Sequence, residues 1–344
     1  MPVQSPKIIN LALQGGGSHG AFTWGVLDRL LEENDRLKIE GISGTSAGAL
    51  NAAVLMDGYH KNGAAGARQH LDAFWQSIGD IGRFGLPQRT IVQQMLGNWN
   101  TDQSPSAMMM NMWQNMFSPY QINPFNFNPL RDGLNKTLDI KSMHACKGVK
   151  LFVSTTNVET GRIRIFTGDE ITLDALMASA CLPFTFQAVV IDGHPYWDGG
   201  YVGNPAVFPL IYNCESRDVL IVQVNPLIRP GIPDSAGEII NRLNEISFNS
   251  ALMGEMRAIA FVQDLIEEDE LKGERSLRMK MMNIHAVGAE NEMRNIGSAS
   301  KMNIDMDFLL YLKGVGRKAT DNWLKENWDA IGERSSVDVK ATFL

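Results

Sequence analysis

The stretch EGISGTSAGAL, residues 40–50, places one serine among small residues. The LKIEGISG that leads into it is typical of a buried strand, and the AGALNAAVLM that follows is typical of an apolar helix. Gly44 and Gly48 lack the Cβ atoms that would collide in a sharp turn between two such elements. The pattern therefore predicts a strand, a tight turn that lifts Ser46 to the end of the sheet, and a helix. A tight corner without catalytic function would use the same residues, so the other motifs have to decide.

The same pattern occurs earlier in the chain. Residues 8–14, IINLALQ, form a short apolar run that ends at glycines, and GAFTWGVLDRLLEE then puts Trp24, Leu27 and Leu31 on one helical face. Two strand-to-helix units within the first 56 residues predict an α/β fold with a parallel sheet covered by helices. Further strands are predicted in VKLFVSTTNV, RIRIF, DVLIVQVN and LRMKMMNIHAV. The segment AVVIDGHPYWDGG predicts a hairpin that turns at Asp192-Gly193. Helices are predicted at 67–78, at 172–180 and within 305–330.

The chain is interpreted as a single domain, residues 1–344, with two additions to the core. Residues 79–130 form an insertion rich in Met, Asn and aromatic residues, and residues 290–344 form a mainly helical C-terminal extension. The insertion carries Met95, Met108, Met109, Met110, Met112 and Met116 among Trp99, Trp113, Phe117, Phe125 and Phe127. Such adaptable side chains suit a lid or a patch that docks on lipid, although they could equally complete the core.

Composition argues against several classes of protein. The 31 Lys+Arg and 38 Asp+Glu give a net charge of -7, and no long basic run is present, so nucleic acid is not expected as a partner. Cys146, Cys181 and Cys214 are widely spaced, which predicts ordinary thiols and no metal site. No apolar run reaches the roughly 18 residues of a membrane span, which predicts a soluble, cytoplasmic protein with peripheral membrane contact at most. The oligomeric state is left open.

A glycine-rich segment, QGGGSHGAF at residues 14–22, lies between the first strand and the first helix. Successive glycines let backbone N–H groups converge on one point and make a nest for negative charge. The nest suits either a phosphate or the oxyanion of an ester under attack. Gly15, Gly17 and Gly20 also match a dinucleotide fingerprint, with Glu40 as the acidic residue 20 positions later. A non-catalytic protein that binds a nucleotide or a phospholipid headgroup is therefore a second hypothesis.

A third motif, YWDGGYVGNP at residues 196–205, follows the predicted hairpin. Asp198 in a partly dry site could take a proton directly from a serine hydroxyl, because burial raises the basicity of a carboxylate. Asp-Gly-Gly is also an ordinary turn sequence.

In combination and in order, these three motifs resemble the patatin-like phospholipase family over residues 8–209. The resemblance implies a three-layer α/β/α sandwich with a mostly parallel central sheet. It implies that Ser46 is the nucleophile, that Asp198 is the general base, and that Gly15, Gly16, Gly17 and the Ala47 N–H hold the oxyanion. No metal and no organic cofactor are then required. The expected reaction is hydrolysis of lipid acyl esters, with an intracellular polyester or an acyl thioester as alternative substrates.

One residue departs from the family pattern. The nest often has Arg or Lys before its last glycine, whereas this chain has His19, which is mostly neutral at pH 7. His19, His194 or His285 could also serve as the base in place of, or together with, Asp198. A structural role is expected for each of the three.

Overall fold

The computed structural model describes residues 5–82, 99, 116–268 and 279–344. The strands of this part of the chain are β1 (Lys7–Leu13), β2 (Leu37–Thr45), β3 (Lys150–Asn157), β4 (Ile163–Thr167), β5 (Val189–Ile191), β6 (His194–Asp198), β7 (Asp218–Gln223) and β8 (Asn283–Gly288). The helices are α1 (Gly20–Leu30), α2 (Ala47–Gly82), α3 (Pro119–Ile122), α4 (Pro129–Thr137), α5 (Ile140–Ala145), α6 (Leu173–Ser179), α7 (Phe208–Asn213), α8 (Ala236–Glu267), α9 (Glu290–Arg294), α10 (Met306–Asn327) and α11 (Val339–Phe343).

The strands form one mixed sheet in the order β5-β6-β3-β2-β1-β7-β8, with β4 paired to β3 outside this path. The pairs that join β3, β2, β1, β7 and β8 are all parallel. The strands β4 and β6 run antiparallel to β3, and β5 and β6 form the predicted hairpin. Asp192 and Gly193 in its turn have φ angles of 51° and 80°, as this turn chemistry requires.

Helices cover both faces of the sheet. Because side chains alternate along a strand, Leu11 and Ala12 of β1 belong to different hydrophobic cores. The core around Leu11 includes residues of α1, α2 and α10, and the core around Ala12 includes Met256 of α8 and Phe343 of α11. The predicted three-layer α/β/α architecture is therefore confirmed.

The helices α1 and α10 touch through their backbones. A Cβ atom added at Gly25 of α1 would overlap the carbonyl oxygen of Lys313, and one added at Gly316 of α10 would overlap the carbonyl oxygen of Phe22. Glycine at both positions therefore permits the close approach. The helix that follows the glycine nest rests directly on the C-terminal part of the chain.

Strand register brings the three predicted motifs to one region. Leu13 pairs with Gly44, so the loops that follow β1 and β2 are neighbours. Thr45 pairs with Ser154 of β3, and Thr155 pairs with Asp198 of β6. The glycine nest, the serine turn and Asp198 therefore lie beside one another.

Most of the predicted insertion lies outside the described residues, including Met95, Met108, Met109, Met110, Met112 and Trp113. Its described end contains α3 and the start of α4. In the described ranges, no helix has both the length and the apolar character needed to cross a membrane.

Candidate active site

The serine turn consists of a single residue between two regular elements. The strand β2 ends at Thr45 and α2 begins at Ala47, which leaves Ser46 at the apex with a φ of 54°. This left-handed conformation is unfavourable for a residue with a Cβ atom. Neighbouring contacts hold it: the Ser46 N–H donates to Ser179 Oγ at 2.9 Å, and Ser179 Oγ donates to the Ser154 carbonyl at 2.7 Å.

The predicted need for small residues around Ser46 is confirmed. A Cβ atom at Gly44 would lie 2.7 Å from the Ala49 Cα atom, and one at Gly48 would overlap the carbonyl oxygen of Leu13. The turn can therefore be this sharp only because glycine occupies both positions.

The glycine nest packs against this turn. Gly17 has a φ of 57°, and Gly15 donates its N–H to Asn204 Oδ1 at 2.6 Å. Within the described ranges, the N–H groups of Gly16, Gly17 and Ala47 donate no hydrogen bond. These three donors are therefore open to a ligand, whereas the N–H of Gly15 is already engaged. The sequence contained no signal for Asn204 as the partner of Gly15.

Asp198 is buried beside Ser46. Its side chain is 1% exposed and Ser46 is 7% exposed. Asp198 Oδ1 accepts the Gly200 N–H at 2.7 Å, while Oδ2 has no hydrogen-bond partner of ordinary geometry among the described residues. Burial raises the pKa of Asp198 to about 6, and the Gly200 N–H, the Ser46 hydroxyl and the Lys301 charge each oppose that rise. The carboxylate is thus a stronger base than an exposed aspartate, and the serine hydroxyl is its neighbour.

The three histidines considered as possible bases contact residues other than Ser46 and Asp198. His19 Nε2 lies 2.7 Å from Ser300 Oγ, and burial lowers its pKa to about 3. His194 Nδ1 contacts Glu159 at 3.0 Å on the surface. His285 is buried between Asp218 and Ser336, each 2.9 Å away. The position before the last glycine of the nest therefore carries a neutral ring.

A lysine that the sequence analysis did not anticipate lies at the site. Lys301 follows β8 and lines the same cavity as Ser46, and its backbone carbonyl is packed on Gly17. Nothing in the motif pattern pointed to it, because it is far along the chain from all three motifs.

Ser46 and Ala47 open into a cavity of about 310 Å³ with mainly apolar walls. The walls include Leu50, Phe74, Trp75 and Ile78 of α2, Leu130 of α4, Leu182 and Phe186 of the loop after α6, and Ile304. The helix predicted at 67–78 thus supplies part of the wall. A chain of methylene groups would be favoured in such a cavity.

A model of the patatin-like phospholipase family matches residues 11–211. This chain belongs to that family. The matched range contains the nest, the serine turn and Asp198, and it ends before β7, β8 and Lys301. The family is described as patatin-like phospholipases, which are hydrolases of lipid esters.

Solved structures with similarity to this patatin-like chain include proteins of two bacteria. VipD from Legionella pneumophila is 14% identical with a TM-score of 0.38, and the match covers 90% of this chain and 67% of VipD. ExoU from the type III secretion system of Pseudomonas aeruginosa, in complex with SpcU, is 13% identical with a TM-score of 0.30, and the match covers 92% of this chain and 53% of ExoU. The chain thus spans about half the length of ExoU. No curated protein matches it.

The dinucleotide site considered for the patatin-like chain does not form near the nest. Glu40, the acidic residue of the dinucleotide fingerprint, accepts the N–H groups of Glu215 and Ser216 at 2.8 Å each, ahead of β7. It therefore lies toward the edge of the sheet where β7 begins, whereas the nest follows the end of β1. Across the described ranges, no group of three His, Cys, Asp or Glu side chains could hold a metal ion.

Proposed function

We propose that the protein is a serine acyl hydrolase that cleaves carboxylic esters of lipids through a Ser46–Asp198 dyad and an acyl-enzyme. The observation that carries the proposal is the position of Ser46. It sits on a strained turn beside a buried carboxylate whose pKa is about 6, and it faces an apolar cavity. A hydroxyl without such a neighbour is a weak nucleophile at neutral pH.

In the acylation step, Ser46 Oγ attacks the ester carbonyl carbon while Asp198 accepts the hydroxyl proton. Negative charge develops on the carbonyl oxygen, where the open N–H groups of Gly16, Gly17 and Ala47 can donate to it. When the tetrahedral intermediate collapses, the carbon–oxygen bond to the alcohol breaks and Asp198 returns the proton to the departing alcohol. The products of this step are a free alcohol and an ester of Ser46.

In the deacylation step, a water molecule gives its proton to Asp198 and attacks the same carbonyl carbon. The bond to Ser46 Oγ then breaks, Oγ regains the proton, and a fatty acid is released. One carboxylate thus moves the proton in both steps. Gly15 supplies the close backbone packing behind Ser46, since its own N–H is committed to Asn204.

The cavity supports an acyl lipid as the substrate. Its apolar walls favour an alkyl chain, and exposed aromatic side chains lie on segments joined to those walls. Phe125 and Phe127 are 95% and 65% exposed, and Phe184 is 65% exposed. Gln187 donates to the Asn123 carbonyl at 2.7 Å, which ties the segment with Phe125 to the loop that lines the cavity. These aromatic side chains suit peripheral contact with a lipid surface.

The alternatives receive less support. A nucleotide-binding protein would use the same nest, but Glu40 is committed to backbone N–H groups elsewhere, and the cavity next to Ser46 is apolar. An intracellular polyester or an acyl thioester would present the same carbonyl to the same dyad. Only an assay can therefore distinguish these two substrates from a lipid ester.

The experiment is a fluorophosphonate reaction combined with a substrate series. The wild type should be labelled at Ser46 and should hydrolyse p-nitrophenyl esters and phospholipid vesicles, with Ser46→Ala as the blank. Equal labelling of wild type and Ser46→Ala would contradict the proposal. Stabilisation by a nucleotide, together with no turnover of any ester, would favour the binding protein.

A further inference from the structure

The site contains a cation that the proposed dyad does not use. Lys301 lies in the turn Ser298–Met302, beyond residue 211, where the match to the family ends. It lines the cavity that contains Ser46. A Cβ atom at Gly17 would overlap the Lys301 carbonyl oxygen, so the backbone that carries this lysine is packed directly on the nest. The position of Lys301 is thus fixed relative to the proposed oxyanion donors.

The Lys301 ammonium has few partners for its three donors. It donates to Asn225 Oδ1 at 2.8 Å, and Asn225 in turn donates to the Gly15 carbonyl at 3.0 Å. Its Nζ atom lies 5.5 Å from the centre of the Phe248 ring. Across the described ranges, no carboxylate forms an ion pair with it. The ammonium therefore has donor capacity left in a partly apolar setting.

Among the described residues, Lys301 has no close counter-ion. Burial lowers its pKa to about 8, against the opposing influence of Glu245 and Asp198. Glu245 is already held by Arg229 at 2.6 Å and by Arg242 at 3.2 Å. A cation that is poorly solvated and weakly paired is complementary to an anion brought in by a ligand.

We propose that Lys301 binds a negatively charged phosphate oxygen of the substrate while the ester carbonyl lies at Ser46 and the acyl chain fills the apolar cavity. This inference rests on the proposed function and narrows its substrate to acyl lipids that carry a phosphate close to the ester. In a glycerophospholipid only the three-carbon glycerol unit separates the two groups, so both can occupy one site. The neutral ring of His19 cannot supply this charge.

The test measures binding in the Ser46→Ala background, where no turnover can occur. The two probes are 1-oleoyl glycerol and 1-oleoyl lysophosphatidate, which differ only in the phosphate, each below its micelle concentration in a titration calorimeter. Lys301→Met should weaken binding of the lysophosphatidate by about tenfold or more, since a hydrogen bond between two charged groups is roughly twice as strong as one between neutral groups. Binding of 1-oleoyl glycerol should be unchanged. Lys301→Arg should retain most of the preference for the phosphate. Lys340 is the control: it is paired with Asp264 on α8, so Lys340→Met should change neither affinity.

Three results would overturn the proposal. The first is equal affinity for the two lipids before Lys301 is changed. The second is equal weakening of both lipids by Lys301→Met, which would indicate a structural role. The third, with Ser46 restored, is an equal loss of turnover of neutral and phosphate-bearing esters without a change in binding, which would assign Lys301 to charge that develops only during the reaction. Failure of the hydrolase proposal looks different: no fluorophosphonate labelling, with the phosphate preference intact.

Discussion

Gly15 lies directly behind Ser46: a Cβ atom at position 15 would be 2.6 Å from the Ser46 Cβ atom and 2.9 Å from the Thr45 carbonyl oxygen. The glycine nest and the serine turn are therefore a single packed unit. Any side chain at position 15 has to displace either the serine or the strand that carries it.

Gly15→Ala should therefore reduce ester turnover by about a hundredfold or more, because an ångström-scale shift of a reacting group has an effect of that size. The measurement is kcat/KM on a soluble p-nitrophenyl ester. Gly254→Ala is the matched control, since Gly254 lies in α8 with nothing within 4 Å of the added Cβ atom. Retention of full activity by Gly15→Ala would contradict the geometry of the proposed site.

Ser46→Ala and Ser46→Gly should both eliminate fluorophosphonate labelling and ester turnover, because neither has a hydroxyl. Their stabilities should differ in an informative way. At a φ of 54°, alanine retains the backbone strain and glycine relieves it. Ser46→Gly should thus have a urea midpoint at or above that of Ser46→Ala. A clearly lower midpoint for the glycine variant would mean that the turn is not strained.

The pH dependence of turnover should reflect Asp198. Because the pKa of Asp198 is about 6, the fraction of ionised base, and with it kcat/KM on a neutral ester, should fall as the pH drops below about 6. An ordinary aspartate would lose activity about two pH units lower. A profile that remains flat down to pH 4.5, while the protein stays folded, would remove Asp198 from the role of base.

Asp198→Asn should lower ester turnover and raise the free energy of unfolding at neutral and higher pH. The amide cannot accept the proton, so turnover should fall by about a hundredfold to ten-thousandfold. The folded pKa is raised from 3.8 to about 6, so the stability tied to this group is fully present below about pH 4 and is lost as the pH rises through about 6. The loss is on the order of 3 kcal/mol, at 1.36 kcal/mol per pH unit.

The asparagine variant avoids this penalty, so its free energy of unfolding should exceed that of the wild type at pH 8 and approach it at pH 4. Urea titrations at the two pH values measure the difference. A variant that is less stable than the wild type at pH 8 would show that burial does not destabilise the ionised carboxylate.

Vesicle binding should depend on the exposed aromatic residues beside the cavity. Replacing Phe125, Phe127 and Phe184 together by serine should weaken binding to phospholipid vesicles while leaving turnover of a short soluble ester within about twofold. Flotation with liposomes measures the binding. Tyr212→Ser is the control, because Tyr212 is also strongly exposed but lies on α7. The carbonyl of the neighbouring Asn213 accepts a hydrogen bond from Lys150, which places Tyr212 toward the edge of the sheet where β3 begins. Equal effects from Tyr212→Ser would argue against a specific docking surface.

Local sequence patterns predicted much of the fold and of the candidate site. The glycines around Ser46 and the Asp-Gly pair of the hairpin restrict the backbone within a few residues, so their effect can be read from the sequence itself. The helix α2 was less predictable: separate helices at 47–56 and 67–78 were expected, and the structure has one helical segment with a break at Asn62 and Gly63.

The parts of the site that were missed depend on contacts between distant residues. Asn204 occupies the Gly15 N–H from 189 positions away, and no local pattern signals that pairing. Lys301 arrives from beyond the family match, on a turn that packs against Gly17. Both contacts arise from tertiary packing, and a single sequence does not reveal which distant side chains meet.

The backbone contact between α1 and α10 also bears on how such a chain can change by recombination. A crossover near residue 211 would give α1 a new C-terminal partner, and any foreign helix with a side chain in place of Gly316 would push α1 outward and tilt the nest at its start. It would also replace β7, and a foreign segment without a matching strand would leave β1 as an unpaired edge. The catalytic motifs and the C-terminal third are consequently expected to be inherited as one block.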